Sequence, residues 1–304
     1  MPATAYDAEK FFRGLVDAGL IIPVGVPGIF GRNHVFEDVL ERFNKQVTDL
    51  ARDDGAEYFV YPPAIDRKVL EKTDYMDSFP DLAGTVFSFK GKELTARQLS
   101  EAIHNGENWE QYQNMTDVVL NPAACYPVYP SFTGTVPKEG KLVTMFNWVF
   151  RNEPSQEPTR MQSFRVREFV RCGTPEQVVE WRDMWLQRGL HLLESLGLPV
   201  KSEVASDPFF GKGGKMLAMS QRQQQLKFEV LAPVISEEKP TAMCSFNFHQ
   251  EHFGEAFRIR TEDGEVANTA CLGFGLERVA MALFQAHGFD PEQWPSEVHD
   301  QLWA

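Results

Sequence analysis

Long apolar runs are missing from these 304 residues. No stretch of about 18 consecutive apolar side chains occurs, so no segment reads as a membrane span. Cysteine is scarce: Cys125, Cys172, Cys244 and Cys271 lie far apart, which offers neither a disulfide framework nor a compact zinc finger. The opening residues, MPATAYDAEKFF, lack the basic-then-apolar pattern of a secretion signal, and a reducing cytoplasm is the expected compartment. Positive charge is also short. Thirty Lys and Arg against 43 Asp and Glu leave a net −13, and such a surface repels a nucleic-acid backbone. No repeat or low-complexity stretch is present.

What is there suffices for a large core: 43% hydrophobic, 24% charged and 12% aromatic residues. One mixed α/β (α+β) domain spanning 1–304 is expected, with insertions near 66–120 and 200–227. A helix over Phe11 to Leu20 precedes a Gly/Pro-rich loop, PVGVPGIFGR. From His34 to Asp53, Val35, Phe36, Val39, Leu40, Phe43, Val47 and Leu50 recur at three and four, and the short strand EYFVYPPAI follows. Residues 66–120 read as helices with a small hairpin at VFSFKG. KLVTMFNWVF and MQSFRVREFV flank a polar loop as a long hairpin, and an amphipathic helix covers 175–197. Strands are expected at 228–235, 242–248 and 256–261. The segment VANTACLGFGLERVAMALF reads as a strand, a glycine turn and a helix.

On the second hairpin strand, alternation puts Arg160, Gln162, Phe164, Val166 and Glu168 on one side, with Arg165 and Arg167 on the other. Arg151 and Glu153 share a side of the first strand. Composition alone fits a solvated hairpin with incidental ion pairs equally well. The spacing Phe150-Arg151-Asn152-Glu153, a loop, then Arg160, Phe164 and Glu168 resembles motif 2 of the class II aminoacyl-tRNA synthetases. Gly273-Phe274-Gly275-Leu276-Glu277-Arg278 resembles their motif 3, and the helix and strand ending at Pro62 resemble motif 1. The resemblance implies an antiparallel sheet flanked by helices and a homodimer. It assigns catalysis to Arg151, Arg160 and Arg278: Arg151 on the α-phosphate of ATP, Arg160 and Arg278 on the γ-phosphate. Glu153 would read the adenine amino group and Phe164 stack on the ring. Glu265 and Asn268 resemble positions that handle Mg²⁺ and the amino acid.

Taken singly, each cysteine reads as a small buried apolar residue. The resemblance changes this for Cys125, Glu168 and Cys271, because it brings Glu168 and Cys271 to the floor of an amino-acid pocket. Three protein ligands with a fourth position open describe a substrate-binding Zn²⁺. This Cys/Glu/Cys set resembles that of atypical seryl-tRNA synthetases and of amino acid:[carrier protein] ligases. Cys172 and Cys244 are expected to be structural. His249 and His252 have metal-pair spacing but fall on opposite faces of a strand, so they are left out.

The catalytic-core resemblance covers about residues 30–290, which leaves no room for a tRNA-binding domain. With the acidic surface, this implies a phosphopantetheinylated carrier protein as acceptor and makes tRNA a poor one. Carrier proteins are acidic, and Lys212, Lys215 and Arg222 in the basic 211–227 stretch are the candidate docking residues. The implied activity is adenylation of a small uncharged amino acid, glycine or alanine, followed by transfer to the carrier thiol. A minimal seryl-type synthetase and an inactive synthetase-like regulatory module are the alternatives.

Overall fold

The computed structural model describes residues 8–208 and 211–304, and its long helices fall where apolar side chains recur at three and four. α1 (Ala8–Asp17) buries Phe11 and Leu15. It ends before Leu20 because Gly19 turns the chain at a φ of 69°. The Gly/Pro-rich passage is a hairpin rather than a loop, β1 (Ile21–Pro23) against β2 (Phe30–Arg32). Gly25 and Gly28 supply the positive φ its turn needs. In α2 (His34–Leu50) the Asn33 side chain accepts the Phe36 N–H at 2.9 Å, and Phe36, Val39, Leu40, Phe43 and Val47 are buried. The helix stops at Leu50, short of Asp53, and a 3-10 turn follows.

After β3 (Glu57–Phe59) and β4 (Ala64–Asp66) come α3 (Arg67–Lys72), α4 (Tyr75–Ser78), β5 (Thr85–Phe89), α5 (Glu93–His104) and β6 (Gln113–Leu120). The expected local hairpin is not formed. Instead β4 and β5 both pair antiparallel with β6, so a three-stranded sheet carries this insertion.

The remaining elements are β7 (Gly134–Thr135), β8 (Lys141–Phe150), β9 (Ser163–Gly173), α6 (Pro175–Ser195), β10 (Lys201–Val204), α7 (Gly211–Gln223), β11 (Lys227–Ala232), β12 (Thr241–Gln250), α8 (His252–Ala256), β13 (Ile259–Arg260), β14 (Asn268–Gly275), α9 (Leu276–His287) and α10 (Ser296–Trp303). A seven-stranded sheet runs β10-β11-β12-β14-β9-β8-β3, antiparallel throughout except for β3 on β8. Because β10 joins this sheet, the second insertion shrinks to α7. The strand expected over 256–261 is a short helix and a two-residue strand. Among the described residues no helix is long and apolar enough to cross a membrane.

Alternation divides the sheet's work between its faces. Ala270, Leu272, Phe274, Phe169 and Phe246 point one way, into a core shared with α2, α6 and α9. On the other face Cys271 pairs laterally with Asn247 and Val170, and Gly273 with Ser245 and Glu168. Gly273 and Gly275 lie within β14, and α9 begins at once, so the expected glycine turn is absent. Glycine is needed at 273 for closeness instead: a Cβ there would come within 2.9 Å of Val166 Cγ1.

A buried ionic cluster joins helices to sheet. The fully buried Glu277 carboxylate accepts the Arg165 backbone N–H at 2.7 Å and its Nε–H at 2.8 Å. The Arg165 guanidinium also forks onto Glu37 of α2 at 2.5 and 2.7 Å, and Arg32 Nη2 lies 3.5 Å from Glu277. Glu277→Ala removes the carboxylate beside buried Arg32 and leaves Arg165 with Glu37 alone, so urea unfolding should show a loss of roughly 3–5 kcal/mol. An unchanged midpoint would contradict this role.

Candidate active site

The polar loop between β8 and β9 is held against the first hairpin. Gln162 N–H donates to Gly28 O at 2.7 Å and its Nε2–H to Pro27 O at 2.8 Å. Strand β9 starts at Ser163, so Arg160 and Gln162 sit in the loop rather than on the strand. Arg151, just past β8, donates from Nε to Pro122 O at 3.1 Å and lies 5.8 Å from the Phe164 ring centre. Arg160 is exposed and stands 3.9 Å from Glu153 and 3.6 Å from Glu157. Arg278, in the first turn of α9, donates to Thr159 O at 3.0 Å and Ala242 O at 3.2 Å. Burial, then the Arg151 charge, lowers the Arg278 pKa from its usual value, while Glu153 and Glu229 oppose that shift. The three arginines, Glu153 and Phe164 therefore form one cluster. Its mutually repelling cations suit a polyanion beside an aromatic face. The insertion is tied to this cluster, since Asn152 N–H donates to Leu82 O at 2.9 Å.

Deeper on the same sheet face, the ligand atoms of Cys125, Glu168 and Cys271 all lie within 4.8 Å of one another, and all three residues are buried. Cys125 is held by its neighbours: Asn147 Nδ2 donates to Ala124 O at 3.1 Å, and Val128 N–H to Cys125 O at 2.9 Å. The hydrogen bond to Cys271, then burial, drives the Cys125 thiol well above its usual range. At Cys271 the hydrogen bond to Cys125 pulls downward, but burial and the Glu168 charge outweigh it. Burial raises the Glu168 carboxyl against hydrogen bonds from both thiols. Crowding and burial thus disfavour the anionic form of all three acidic groups, and a divalent cation would relieve both. Two sulfurs and one carboxylate suit tetrahedral zinc, whose ligand atoms stand about 3–4 Å apart. The buried Tyr129 hydroxyl lies against the Cys125 thiol and feels the charges of all three groups. The residues present therefore fit a bound zinc.

No protein-family model matches the chain. Amino acid–[acyl-carrier-protein] ligase 1 of Bradyrhizobium diazoefficiens is 43% identical over 297 residues, covering 97% of this chain and 88% of that one. Ligase 2 of the same organism is 42% identical over 290 residues, with 95% and 86% covered. The chain belongs to the amino acid–[acyl-carrier-protein] ligases. A type-2 serine–tRNA ligase of Methanocaldococcus jannaschii is 29% identical over 262 residues, but this chain spans only 50% of it. The fold matches M. kandleri SerRS, in a crystal structure with A. aeolicus tRNASec, at a TM-score of 0.82 and 21% identity. That match covers 99% of this chain and 61% of the SerRS chain. The class II architecture expected from motifs 2 and 3 is thereby established for this ligase.

Two expected site residues fall elsewhere. Glu265 is exposed, and its carbonyl closes a turn by accepting the Thr261 N–H at 3.0 Å. Asn268 pairs with Gly173 at the start of β14, and three residues of alternation put it on the opposite face from Cys271. Lys227 is not part of a basic surface: it is buried in β11 and ion-paired with Asp207 and Glu229. Lys215 lies on α7 in the open, whereas the Lys212 side chain lies outside the described residues. His249, left out on sequence grounds, sits against the ligase's cysteine cradle, its Nε2 3.4 Å from Cys271 Sγ. Burial lowers its pKa to about 3, so the ring is neutral. Asn247 Nδ2 donates to the same sulfur at 3.5 Å. Cys172 and Cys244 are buried, and neither joins the ligand group.

Because both thiols start protonated, zinc uptake near neutral pH should release about two protons, and apparent affinity should climb as pH rises. Adding Zn²⁺ to metal-free ligase in weak buffer measures this. Cys271→Ser and Glu168→Ala should each retain little zinc after dialysis. Full zinc content in either variant, or no proton release from the wild type, would remove these residues as ligands.

Proposed function

We propose that this ligase joins glycine or alanine to AMP and then to the phosphopantetheine thiol of an acidic carrier protein. The observation that carries the proposal is that Arg151 links the two groups, its charge felt both by Glu168 of the Cys125/Glu168/Cys271 cradle and by Arg278, which also feels Arg160. When bound, zinc would supply an open position for the substrate's α-amine.

The ligase's own side chains do the rest. Phe164 takes the adenine face of Mg²⁺-bound ATP, and Glu153 accepts from the adenine amino group. Arg151 neutralises charge growing on the α-phosphate as a carboxylate oxygen of the amino acid attacks phosphorus. Arg160 and Arg278 hold the pyrophosphate as the bond to it breaks. The carrier thiol then attacks the carbonyl of the mixed anhydride, the C–O bond to AMP breaks, and a thioester forms. A small substrate side chain is supported by the rings behind Cys271, where Tyr129 and Phe253 stack at 4.0 Å and His249 meets Phe253 at 4.8 Å.

Helix α7 supports carrier docking. Met216, Leu217 and Met219 are 77%, 52% and 59% exposed, beside Lys215 and Arg222. An apolar strip edged by cations complements an acidic helical partner. For the homodimer, the edge strand β3 and its flank expose Tyr58 and Val60 at 55% and 71%, the apolar content an interface needs.

Ligase, Mg²⁺-ATP and labelled glycine or alanine should be incubated with phosphopantetheinylated carrier proteins or total tRNA. Label on the carrier, removable by hydroxylamine, is expected. Label confined to tRNA would favour a minimal seryl-type synthetase, and no label on either would favour an inactive module. Replacing Lys215 and Arg222 with Glu should raise the KM for carrier about 10-fold or more through lost steering and docking, with amino-acid-dependent ATP–pyrophosphate exchange unchanged. An equal fall in both would place these residues in activation rather than docking.

A further inference from the structure

The geometry points to His249 as a positioning residue for the cradle: its ring, pinned by its neighbours, holds the Cys271 sulfur in the orientation that a metal needs. The inference rests on the reading of Cys125, Glu168 and Cys271 as metal ligands. Strand β12 loses register between Phe248 and Gln250, and Gln250 turns at a φ of 54°. His249 shares the strand face of Ser245 and Asn247, which pair with Gly273 and Cys271. Its ring is held at both nitrogens, with Nδ1 3.1 Å from Thr269 Oγ1 and Nε2 3.4 Å from Cys271 Sγ. The two contacts pin the ring between Thr269 and the sulfur, one nitrogen to each. An edge contact with Phe253 fixes the ring plane at 73° to its neighbour.

Asn247 Nδ2–H reaches the same sulfur at 3.5 Å. Two side chains of β12 thus converge on one sulfur and fix where it points. His249 is outside the group of donors that lie within 4.8 Å of one another, so it serves a ligand and does not replace one. Partners of this kind around a metal ligand are worth about 10–100-fold in metal affinity.

The test uses the full-length ligase loaded with Co²⁺, read by the sulfur-to-cobalt charge-transfer band and by competition with a chelator of known affinity. His249→Ala should bind cobalt about 10–100-fold more weakly and move the band. His249→Gln, which keeps an N–H donor, should recover most of the affinity. Thr269→Val leaves the ring in place but frees it, and should move the band in the same direction as His249→Ala. It keeps the test open if His249→Ala does not fold. Wild-type affinity and an unmoved band in folded His249→Ala, or in Thr269→Val, would overturn the inference. Wild-type ligase that takes up neither cobalt nor zinc would instead overturn the ligand reading beneath it.

Discussion

The site depends on the buried contact between Glu277 and Arg165. Glu277 opens α9 and Arg165 lies in β9, so the pair bonds the motif 3 helix directly to the motif 2 strand. The second fork of Arg165 reaches Glu37 and brings α2 into the same cluster. Arg278 follows Glu277 in the helix, and Phe164 precedes Arg165 in the strand. Locking one neighbour of each sets the distance between Arg278 and the Phe164 ring, the groups proposed to hold the phosphates and the adenine. A buried charge cluster of this kind adds little net stability, since desolvation offsets attraction. Its value here is the single arrangement it enforces.

Strand alternation lets the same residues build two things at once. Arg165 and Phe169 of β9 face the helices, while Phe164, Val166 and Glu168 face the pocket. On β14, Leu272 and Phe274 fill the core while Cys271 turns to Glu168 across Gly273. The cradle is therefore assembled from rigid neighbouring strands plus one outside segment carrying Cys125. Preorganisation follows: the thiols and carboxyl are already within ligand distance, at the cost of burying three acidic groups that a cation is needed to stabilise as anions.

Much of this is legible in the sequence because it obeys simple periods. The period of two on β9 gave the correct faces for Phe164, Glu168, Arg165 and Arg167, and the spacing of motifs 2 and 3 pointed to the fold. The failures occur where local order breaks. His249 and His252 make no metal pair, yet His249 alone meets Cys271 Sγ, on the face that alternation from Asn247 gives it. Asn268 opens β14 on the opposite face from Cys271. Lys227 read as surface charge because its partners Asp207 and Glu229 bury it through tertiary contact. The Gly/Pro passage read as loop, yet its glycines make a hairpin turn, one of them within 3.2 Å of where a Cβ would meet Arg160 O.

The account's central claim is that cradle and arginines form one activation centre, with neither half sufficient. Amino-acid-dependent ATP–pyrophosphate exchange, measured on zinc-stripped and zinc-restored protein, tests it most directly. Exchange supported by glycine or alanine that is lost on stripping and regained with zinc is the predicted result. Undiminished exchange without zinc, or none from zinc-loaded protein with any amino acid, would contradict it.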